Sequence, residues 1–268
     1  MGLPIESKPQ AAHAPHVPLT DYYPSEQERA GFVRHMFDST AVDYDRMESI
    51  LGFGSGSWYR GQALDRAGLQ PGMRIVDVGV GTGLVAREAA RIVGDPGLVV
   101  GVDPSPGMMA RARLPIGVSL VEGTAEAIPF PPASFDFLSM GYALRHIGDL
   151  SVAFREFYRV MKPGARLCLL EITRPQKGFG GALMKAYMKG VVPMLARVVG
   201  SAKGTGHLWR YYWDTIEACV PPDQVLATLE ASGFTNVRRH IENKALSILA
   251  KFQATKPRDP VREESPQQ

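Results

Sequence analysis

Cysteine is scarce in this sequence, which has only Cys168 and Cys219 among 268 residues. Two thiols in a chain of this length give no disulfide framework, and reduced thiols in the cytosol are the default. The sequence also lacks any run of roughly 18 apolar residues, the length that a membrane-spanning helix requires. Its start lacks the charged segment, apolar run and cleavage site of a secretory signal. We therefore expect a cytoplasmic protein that does not span a bilayer.

An excess of charge of one sign is also missing. The sequence has 30 Lys and Arg residues against 27 Asp and Glu residues, which gives a net charge of +3. This scattered balance does not supply the basic surface of a nucleic-acid groove, so we predict no nucleic-acid partner. No His, Cys and carboxylate residues are spaced as metal ligands, which predicts a metal-independent protein.

What the sequence does have is enough apolar material for a full core, with 45% hydrophobic and 21% charged residues. The core-forming part is expected to be a single domain over 25–254. Residues 1–24 are rich in proline and contain His13 and His16, which predicts a disordered tail and gives the histidines no role. Residues 255–268 have a similar composition and predict a second disordered tail.

The order of apolar patterns predicts an α/β fold. Residues 25–70 carry apolar residues at helical spacing, interrupted at 52–57, and predict an N-terminal helical cap. From Met73, short apolar runs alternate with helical stretches, which is typical of a doubly wound parallel sheet, and two last runs predict an antiparallel pair. Strands are expected at 74–78, 98–102, 118–121, 135–140, 166–172, 234–240 and 246–252, and helices at 84–93, 106–113, 150–161 and from Pro221 to about Ser232.

A glycine-rich turn follows the first predicted strand. From Asp77 to Gly83 it reads Asp-Val-Gly-Val-Gly-Thr-Gly, and its glycines permit a tight turn and close approach of a ligand. The last glycine follows the second by two residues, whereas a dinucleotide fingerprint uses three, so the spacing favours a ligand without a pyrophosphate. Asp103 ends the next strand, where a carboxylate can accept both hydroxyls of a ribose. A ribose without a phosphate indicates S-adenosylmethionine.

Longer motifs carry a family resemblance. They are Glu122-Gly-Thr-Ala-Glu-Ala-Ile-Pro-Phe-Pro, Phe157-Tyr-Arg-Val-Met-Lys-Pro-Gly and Leu170-Glu-Ile-Thr-Arg-Pro. With them, over about 33–252, the chain resembles the class I S-adenosylmethionine-dependent methyltransferases and, within these, the ubiquinone/menaquinone C-methyltransferases. The resemblance implies a Rossmann-like fold with a seven-stranded, mostly parallel sheet, an antiparallel edge and a helical lid insertion at 175–217.

The resemblance also implies S-adenosyl-L-methionine as cofactor and gives its binding residues roles. Thr82 and the glycines of the turn would hold the methionine end, Asp103 the ribose, and Thr124 with Ala125 the adenine edge. For Asp77, the alternatives are a residue that merely ends the strand, one that organises the loop, or one that receives the cofactor's ammonium group. The full predicted set is Asp77, Gly79, Gly81, Thr82, Gly83, Asp103, Pro104, Thr124, Ala125 and Gly141.

The acceptor side is predicted from the end of the fourth strand. The family has Ser-Phe-Gly-x-Arg-Asn there, and residues 141–146 of this chain read Gly-Tyr-Ala-Leu-Arg-His. The resemblance places Arg145, together with Tyr44, beside the ring that is methylated. Carbon methylation needs an electron-rich ring, so a base would help, and Tyr44, His146 and a water held by Arg145 are the candidates. The alternatives are a salt-bridge arginine and a histidine with only a structural role.

An apolar stripe in the lid insertion has two explanations. Core packing is the first, and a cover for a prenylated substrate is the second, resting on the inner membrane face through Lys185, Lys189 and Arg197. Monomer and homodimer both stay open. The stripe consists of Leu183, Met184, Tyr187, Met188, Val191, Leu195 and Val198.

Several other activities compete with quinol C-methylation. A short-chain dehydrogenase is disfavoured by the glycine spacing, and a nucleic-acid methyltransferase by the lack of its motif after the fourth strand. An O- or N-methyltransferase of a phenol, amine or natural product stays open, because one scaffold serves many acceptors. A non-catalytic protein that binds S-adenosylmethionine also stays open.

Overall fold

The structure is a computed structural model. It describes residues 13–51, 55–173, 185–192, 194, 204–241 and 249–258.

Two helices precede the sheet. Helix α1 spans Glu26–Leu51 and helix α2 spans Gly56–Ala67. Acidic Glu26 and Glu28 occupy the first turn of α1, where negative charge is favoured by the helix dipole. Helix α2 ends at Gly68, whose φ of 89° allows its N–H to bond back to the helix.

A seven-stranded sheet forms the centre of the molecule, in the order β3-β2-β1-β4-β5-β7-β6. Strands β1 to β5 pair in parallel, and β7 runs antiparallel to both of its neighbours, β5 and β6. The predicted mostly parallel sheet and the antiparallel pair at one side are confirmed. The strands are β1 Ile75–Val78, β2 Val99–Asp103, β3 Ser119–Glu122, β4 Phe135–Gly141, β5 Met161–Ile172, β6 Thr235–Ile241 and β7 Leu249–Thr255.

Helices cover both faces of the sheet, so β1 and β2 are buried along their whole length. The strand order reverses between β1 and β4, and the crevice at the carboxyl ends there is the usual binding position in such folds. The helices are α3 Leu84–Val93, α4 Pro106–Met109, α5 Leu150–Val160, α6 Thr205–Ala218 and α7 Pro222–Ala231, with a π-helical turn at Tyr187–Val191.

Helix α4 is shorter than predicted. It ends at Met109, whereas the apolar pattern predicted a helix to residue 113. The N–H groups of Arg111 and Ala112 bond back only three residues, at 3.0 Å each, as in a turn. The N–H of Arg113 then donates to the carbonyl of Thr82 at 3.3 Å, so the chain has already turned towards the glycine-rich loop.

The segment 13–24 packs against the domain, which differs from the expected mobile tail. The carbonyl of His13 accepts a hydrogen bond from the N–H of Leu150 at 2.6 Å, and the carbonyl of Pro15 accepts from Val220 at 2.7 Å. His16 and Tyr23 are buried. Proline prevents a helix here, but its carbonyl still accepts hydrogen bonds, so the composition excludes helical structure rather than packing.

The second predicted tail also begins later than expected. Thr255 belongs to β7, and the N–H of Lys256 donates to the carbonyl of Ala165 at 2.9 Å. The ammonium of Lys256 donates to the carbonyls of Tyr158 and Met161 at 2.8 Å each. These polar residues extend the sheet's hydrogen bonding beyond its last apolar residue.

Part of the predicted lid lies outside the described residues, including Leu183, Met184, Leu195 and Val198 of the stripe. In the described part, Tyr187 and Met188 pack beside Trp209 and Tyr212 of α6. None of the helices built from described residues has the length and apolar character to span a membrane.

Candidate active site

A cavity of about 390 Å³ lies at the carboxyl ends of β1, β2 and β4, under α1 and α6. Most of the predicted site residues line it. They are Tyr44, Gly79, Gly81, Thr82, Asp103, Pro104, Thr124, Ala125, Gly141 and His146. Asp77, Gly83 and Arg145 are not among the lining residues.

The glycine-rich loop needs glycine for two reasons. Gly79 and Gly81 have φ values of 70° and 54°, a region that other residues rarely adopt. A Cβ on Gly79 would also lie only 2.8 Å from the Cβ of Ala143. The N–H of Gly79 donates to the carbonyl of Val102 at 2.7 Å, which ties the loop to β2. The loop therefore turns tightly and leaves open space above its backbone.

Asp103 lies at the end of β2, in the cavity wall. Its two carboxylate oxygens accept hydrogen bonds from the N–H groups of Gly81 and Ser105, at 2.8 Å each. Burial raises the pKa of Asp103 to about 6, although these two hydrogen bonds act to lower it. An ionised carboxylate keeps further lone pairs, so it can still accept hydrogen bonds from a ribose.

Asp77 begins the glycine-rich loop and lies outside the cavity lining. The hydroxyl of Ser139 donates to its carboxylate at 2.7 Å, which links β1 to β4. Burial raises the pKa of Asp77 to about 7, against the hydrogen bonds from Ser139 and the backbone of Ala86. This position matches the loop-organising alternative for Asp77. Gly83 likewise acts on the fold, since it precedes α3 with a φ of 85° and a Cβ there would meet Leu114 at 2.7 Å.

Two carboxylates hold helix α1 over the end of the cavity that the glycine-rich loop forms. Asp45 accepts a hydrogen bond from the hydroxyl of Thr82 at 2.5 Å. Asp38 accepts from the hydroxyl of Ser105 at 2.6 Å and from the N–H of Gly107 at 2.8 Å. Sequence reasoning missed these contacts. Two aspartates seven residues apart lie on one face of a helix, and that spacing was the available signal.

The other end of the cavity is aromatic. Tyr44 and Trp209 are stacked, with ring centroids 6.2 Å apart and an interplanar angle of 21°. Tyr212 lies against Trp209 at 5.1 Å. Burial raises the pKa of Tyr44 well above its ordinary value, so its hydroxyl stays protonated. Tyr142 also lines this end and has a φ of 60°, a conformation that sequence reasoning did not single out.

Arg145 lies behind this aromatic wall. Its guanidinium is fully buried, forms an ion pair with Glu171 and donates through Nε to the hydroxyl of Thr215 at 3.1 Å. Burial acts to lower the pKa of Arg145, but the Glu171 carboxylate raises it above its ordinary value. The structure thus has the salt-bridge arginine of the alternative interpretation, and Arg145 is not among the residues that line the cavity.

His146 faces the cavity between aromatic rings. Its imidazole stacks on Tyr211 with centroids 5.7 Å apart, and Phe37 meets it edge-on at 5.2 Å. Neither ring nitrogen has a hydrogen-bond partner in the described part of the chain. Burial, followed by the charge of Arg145, lowers the pKa of His146 well below 6.5. The imidazole is therefore neutral at physiological pH, and one of its ring nitrogens can accept a hydrogen bond.

The architecture and the chain's relatives agree. The model of the ubiE/COQ5 methyltransferase family matches residues 24–256. The chain belongs to this family. A curated relative, the ubiquinone/menaquinone biosynthesis C-methyltransferase UbiE of Enterobacter sp. (strain 638), is 32% identical over 217 residues, covering 78% of this chain and 85% of the relative. The UbiE of Escherichia coli (strain K12 / DH10B) is 30% identical over 220 residues, covering 80% and 86%. The protein is an S-adenosylmethionine-dependent methyltransferase.

Solved structures agree on the fold. A SAM-dependent methyltransferase from Thermotoga maritima has a TM-score of 0.57 and 22% identity, covering 83% of this chain and 99% of that one. A phosphoethanolamine N-methyltransferase from Haemonchus contortus, solved with S-adenosyl-L-methionine, has a TM-score of 0.54 and 20% identity, covering 75% and 53%.

The residues of the cavity fit the methyl donor. The left-handed glycines open space for a ligand beside the loop, and Asp103 offers acceptors to a ribose. Ala125 and Met108 supply apolar surface next to Thr124, which suits a planar base.

Proposed function

We propose that this enzyme methylates a ring carbon of a demethylated prenyl quinol, the reaction class named for its ubiquinone/menaquinone relatives. The observation that carries the proposal is the acceptor end of the cavity. Aromatic side chains surround the neutral imidazole of His146, whose nitrogens have no partner among the described residues. A hydroxylated aromatic ring matches both features, because it can stack on the rings and hydrogen bond to the imidazole.

Methyl transfer requires little acid catalysis from the protein. S-adenosylmethionine supplies an electrophilic methyl group, and the thioether that leaves is neutral. Transfer would form a bond between the ring carbon and the methyl carbon as the methyl–sulfur bond breaks, and the ring carbon's own proton would pass to water as the ring regains its aromaticity. The chain's residues must hold the acceptor in line and exclude water.

We assign the base to His146. Its neutral imidazole accepts a hydrogen bond from the ring hydroxyl and takes this proton as the ring carbon attacks, when the hydroxyl becomes strongly acidic. Tyr44, stacked with Trp209, positions the ring. Arg145 acts as a positioning residue, because its guanidinium packs on the ring of Tyr212.

Incubation with labelled S-adenosylmethionine tests this proposal. A demethylated quinol, a phenol and an amine are offered separately, and the position of the label is determined. We expect label on a ring carbon of the quinol. Label only on oxygen or nitrogen would instead make the enzyme an O- or N-methyltransferase, and binding without any turnover would make it a non-catalytic protein.

A prenylated acceptor lies in a bilayer, so we also propose peripheral contact with the membrane. Lys185 and Lys189 pair with Glu217 and Asp214, which makes them weak attractants for anionic lipid. Trp58 is a better anchor, because it is 68% exposed on α2, whose first residue Gly56 lines the cavity. Flotation with vesicles should weaken in Trp58→Ser and not in Ile116→Ser, a control residue that is 99% exposed on the loop before β3. Equal flotation of both variants would refute the anchor.

A further inference from the structure

An ion pair that sequence reasoning did not identify lies in the cavity wall. Glu48 of α1 and Arg60 of α2 both line the cavity, and Nη1 of Arg60 donates to Oε1 of Glu48 at 2.7 Å. Arg60 is only 3% exposed, and its Nε–H has no hydrogen-bond partner in the described part of the chain. A buried guanidinium with an unused donor is costly unless a ligand completes its hydrogen bonds.

The pair lies between the glycine-rich loop and the aromatic end of the cavity, because Arg60 is within electrostatic range of Tyr44 and Tyr142. Arg60 is close enough to Asp77, the residue that begins this loop, for its charge to favour the Asp77 carboxylate.

Two other arginines line the cavity, and Arg34 pairs with Glu122. Arg29 is as buried as Arg60 and its Nε–H also has no partner among the described residues, but it lies on the His146 side of the cavity, where it donates to Glu26 and to the carbonyl of Arg145.

The start of α2 adds a second attraction for an anion. Ser55 and Gly56 line the cavity, and the N-cap residue Ser55 makes no side-chain capping hydrogen bond to this 12-residue helix. The helix start adjoins the ion pair, since a Cβ on Gly56 would lie 2.6 Å from Oε1 of Glu48 and 2.8 Å from Nη2 of Arg60. The N–H groups and positive dipole end of a helix N-terminus favour a carboxylate.

We propose that Glu48, Arg60 and the start of α2 bind the amino-acid end of S-adenosylmethionine. The α-carboxylate contacts Arg60 and the helix start, and the α-ammonium contacts Glu48. A buried pair of opposite charges has no net charge, so it matches a zwitterion better than an anion or a cation alone. This assignment gives the ammonium to Glu48 in place of Asp77, which does not line the cavity.

The proposal rests on S-adenosylmethionine as the methyl donor and not on the acceptor. Binding of two probes by calorimetry therefore tests it separately from the quinol proposal. S-adenosylhomocysteine carries the amino-acid end, whereas 5′-methylthioadenosine lacks both the carboxylate and the ammonium. In Arg60→Met we expect the Kd for S-adenosylhomocysteine to rise by about 10- to 100-fold, the range for a lost charged hydrogen bond, with the Kd for methylthioadenosine unchanged.

Further variants separate this role from a structural one. Glu48→Gln should also weaken only S-adenosylhomocysteine. The double variant Glu48→Leu with Arg60→Met removes both charges, so it avoids an unpaired buried ion and should keep its fold and its affinity for methylthioadenosine. The control is Arg91→Met, because Arg91 pairs with Glu88 on α3 outside the cavity lining.

Two results would overturn the proposal. Equal losses for both probes in the double variant would make the pair structural. Unchanged S-adenosylhomocysteine binding with a raised KM for the acceptor would assign the pair to the acceptor instead.

Discussion

The guanidinium carbon of Arg145 lies 3.8 Å from the centre of the Tyr212 ring. A cation over an aromatic face at this distance is attracted to it and fixes the ring plane. Tyr212 lines the cavity and Arg145 does not, so the arginine influences an acceptor through its neighbours, by packing on Tyr212 and by lowering the pKa of His146.

Replacement of Arg145 should therefore affect stability as well as turnover. Arg145→Ala leaves the fully buried Glu171 unpaired, which costs about 3–5 kcal/mol of unfolding free energy. Urea unfolding measures this loss. The double variant Arg145→Met with Glu171→Leu should recover much of the stability but not the turnover, with S-adenosylhomocysteine affinity retained. Full turnover in a stable double variant would remove Arg145 from the positioning of Tyr212.

Gly79 and Gly72 offer a matched test of the loop. Both have positive φ, 70° and 79°, but a Cβ on Gly72 meets nothing within 4 Å whereas one on Gly79 meets Ala143. Gly72→Ala should cost about 1 kcal/mol of backbone strain. Gly79→Ala should cost more and weaken S-adenosylhomocysteine at least tenfold, because Gly79 lines the cavity. Equal losses of stability and of S-adenosylhomocysteine affinity in the two variants would mean that backbone strain alone causes them.

Cofactor affinity should depend on the protonation of Asp103. Burial raises its pKa to about 6, and protonation removes an acceptor for the ribose hydroxyls. The Kd for S-adenosylhomocysteine should therefore rise as the pH falls through 6, by up to about tenfold per pH unit for one proton. Asp103→Asn should bind weakly with a flat pH profile. Asp77→Asn should keep the loss of affinity near pH 6, which belongs to Asp103, and should remove any further change near pH 7, to which burial raises the pKa of Asp77.

His146 should act on turnover and not on cofactor binding. His146→Ala is expected to lower kcat by about 100-fold, a typical contribution of a positioned base. Quinols with a more acidic hydroxyl need less help from a base, so their kcat should fall less. A uniform loss across such a series would indicate that His146 only packs against the acceptor.

The parts of the fold that follow local rules were predictable. Helix α3 has its predicted bounds, 84–93, because its apolar period is regular and Gly94 ends it. The loop glycines and Asp103 were also predictable, since strand, turn and helix order brings them to one sheet edge. The packing of His16 and the pairing of Arg60 with Glu48 were not, because contacts between distant segments leave no periodic signal.

The same limit applies to Arg145. The family resemblance gave its position beside the acceptor, but its partner Glu171 lies 26 residues further along the chain. Only the parallel pairing of β4 with β5 brings their ends together. Whether such an arginine faces a ligand or a carboxylate is decided by that register, which the sequence pattern does not specify.

The position of β7 has a consequence for the order of folding during synthesis. Strand β6 pairs only with β7 among the described strands, although it is made first. The sheet therefore cannot gain its sixth strand until residues 249–255 have left the ribosome and inserted beside β5. Until then, the backbone edge of β5 is unpaired on that side, and an unpaired strand edge is a site where other chains can pair.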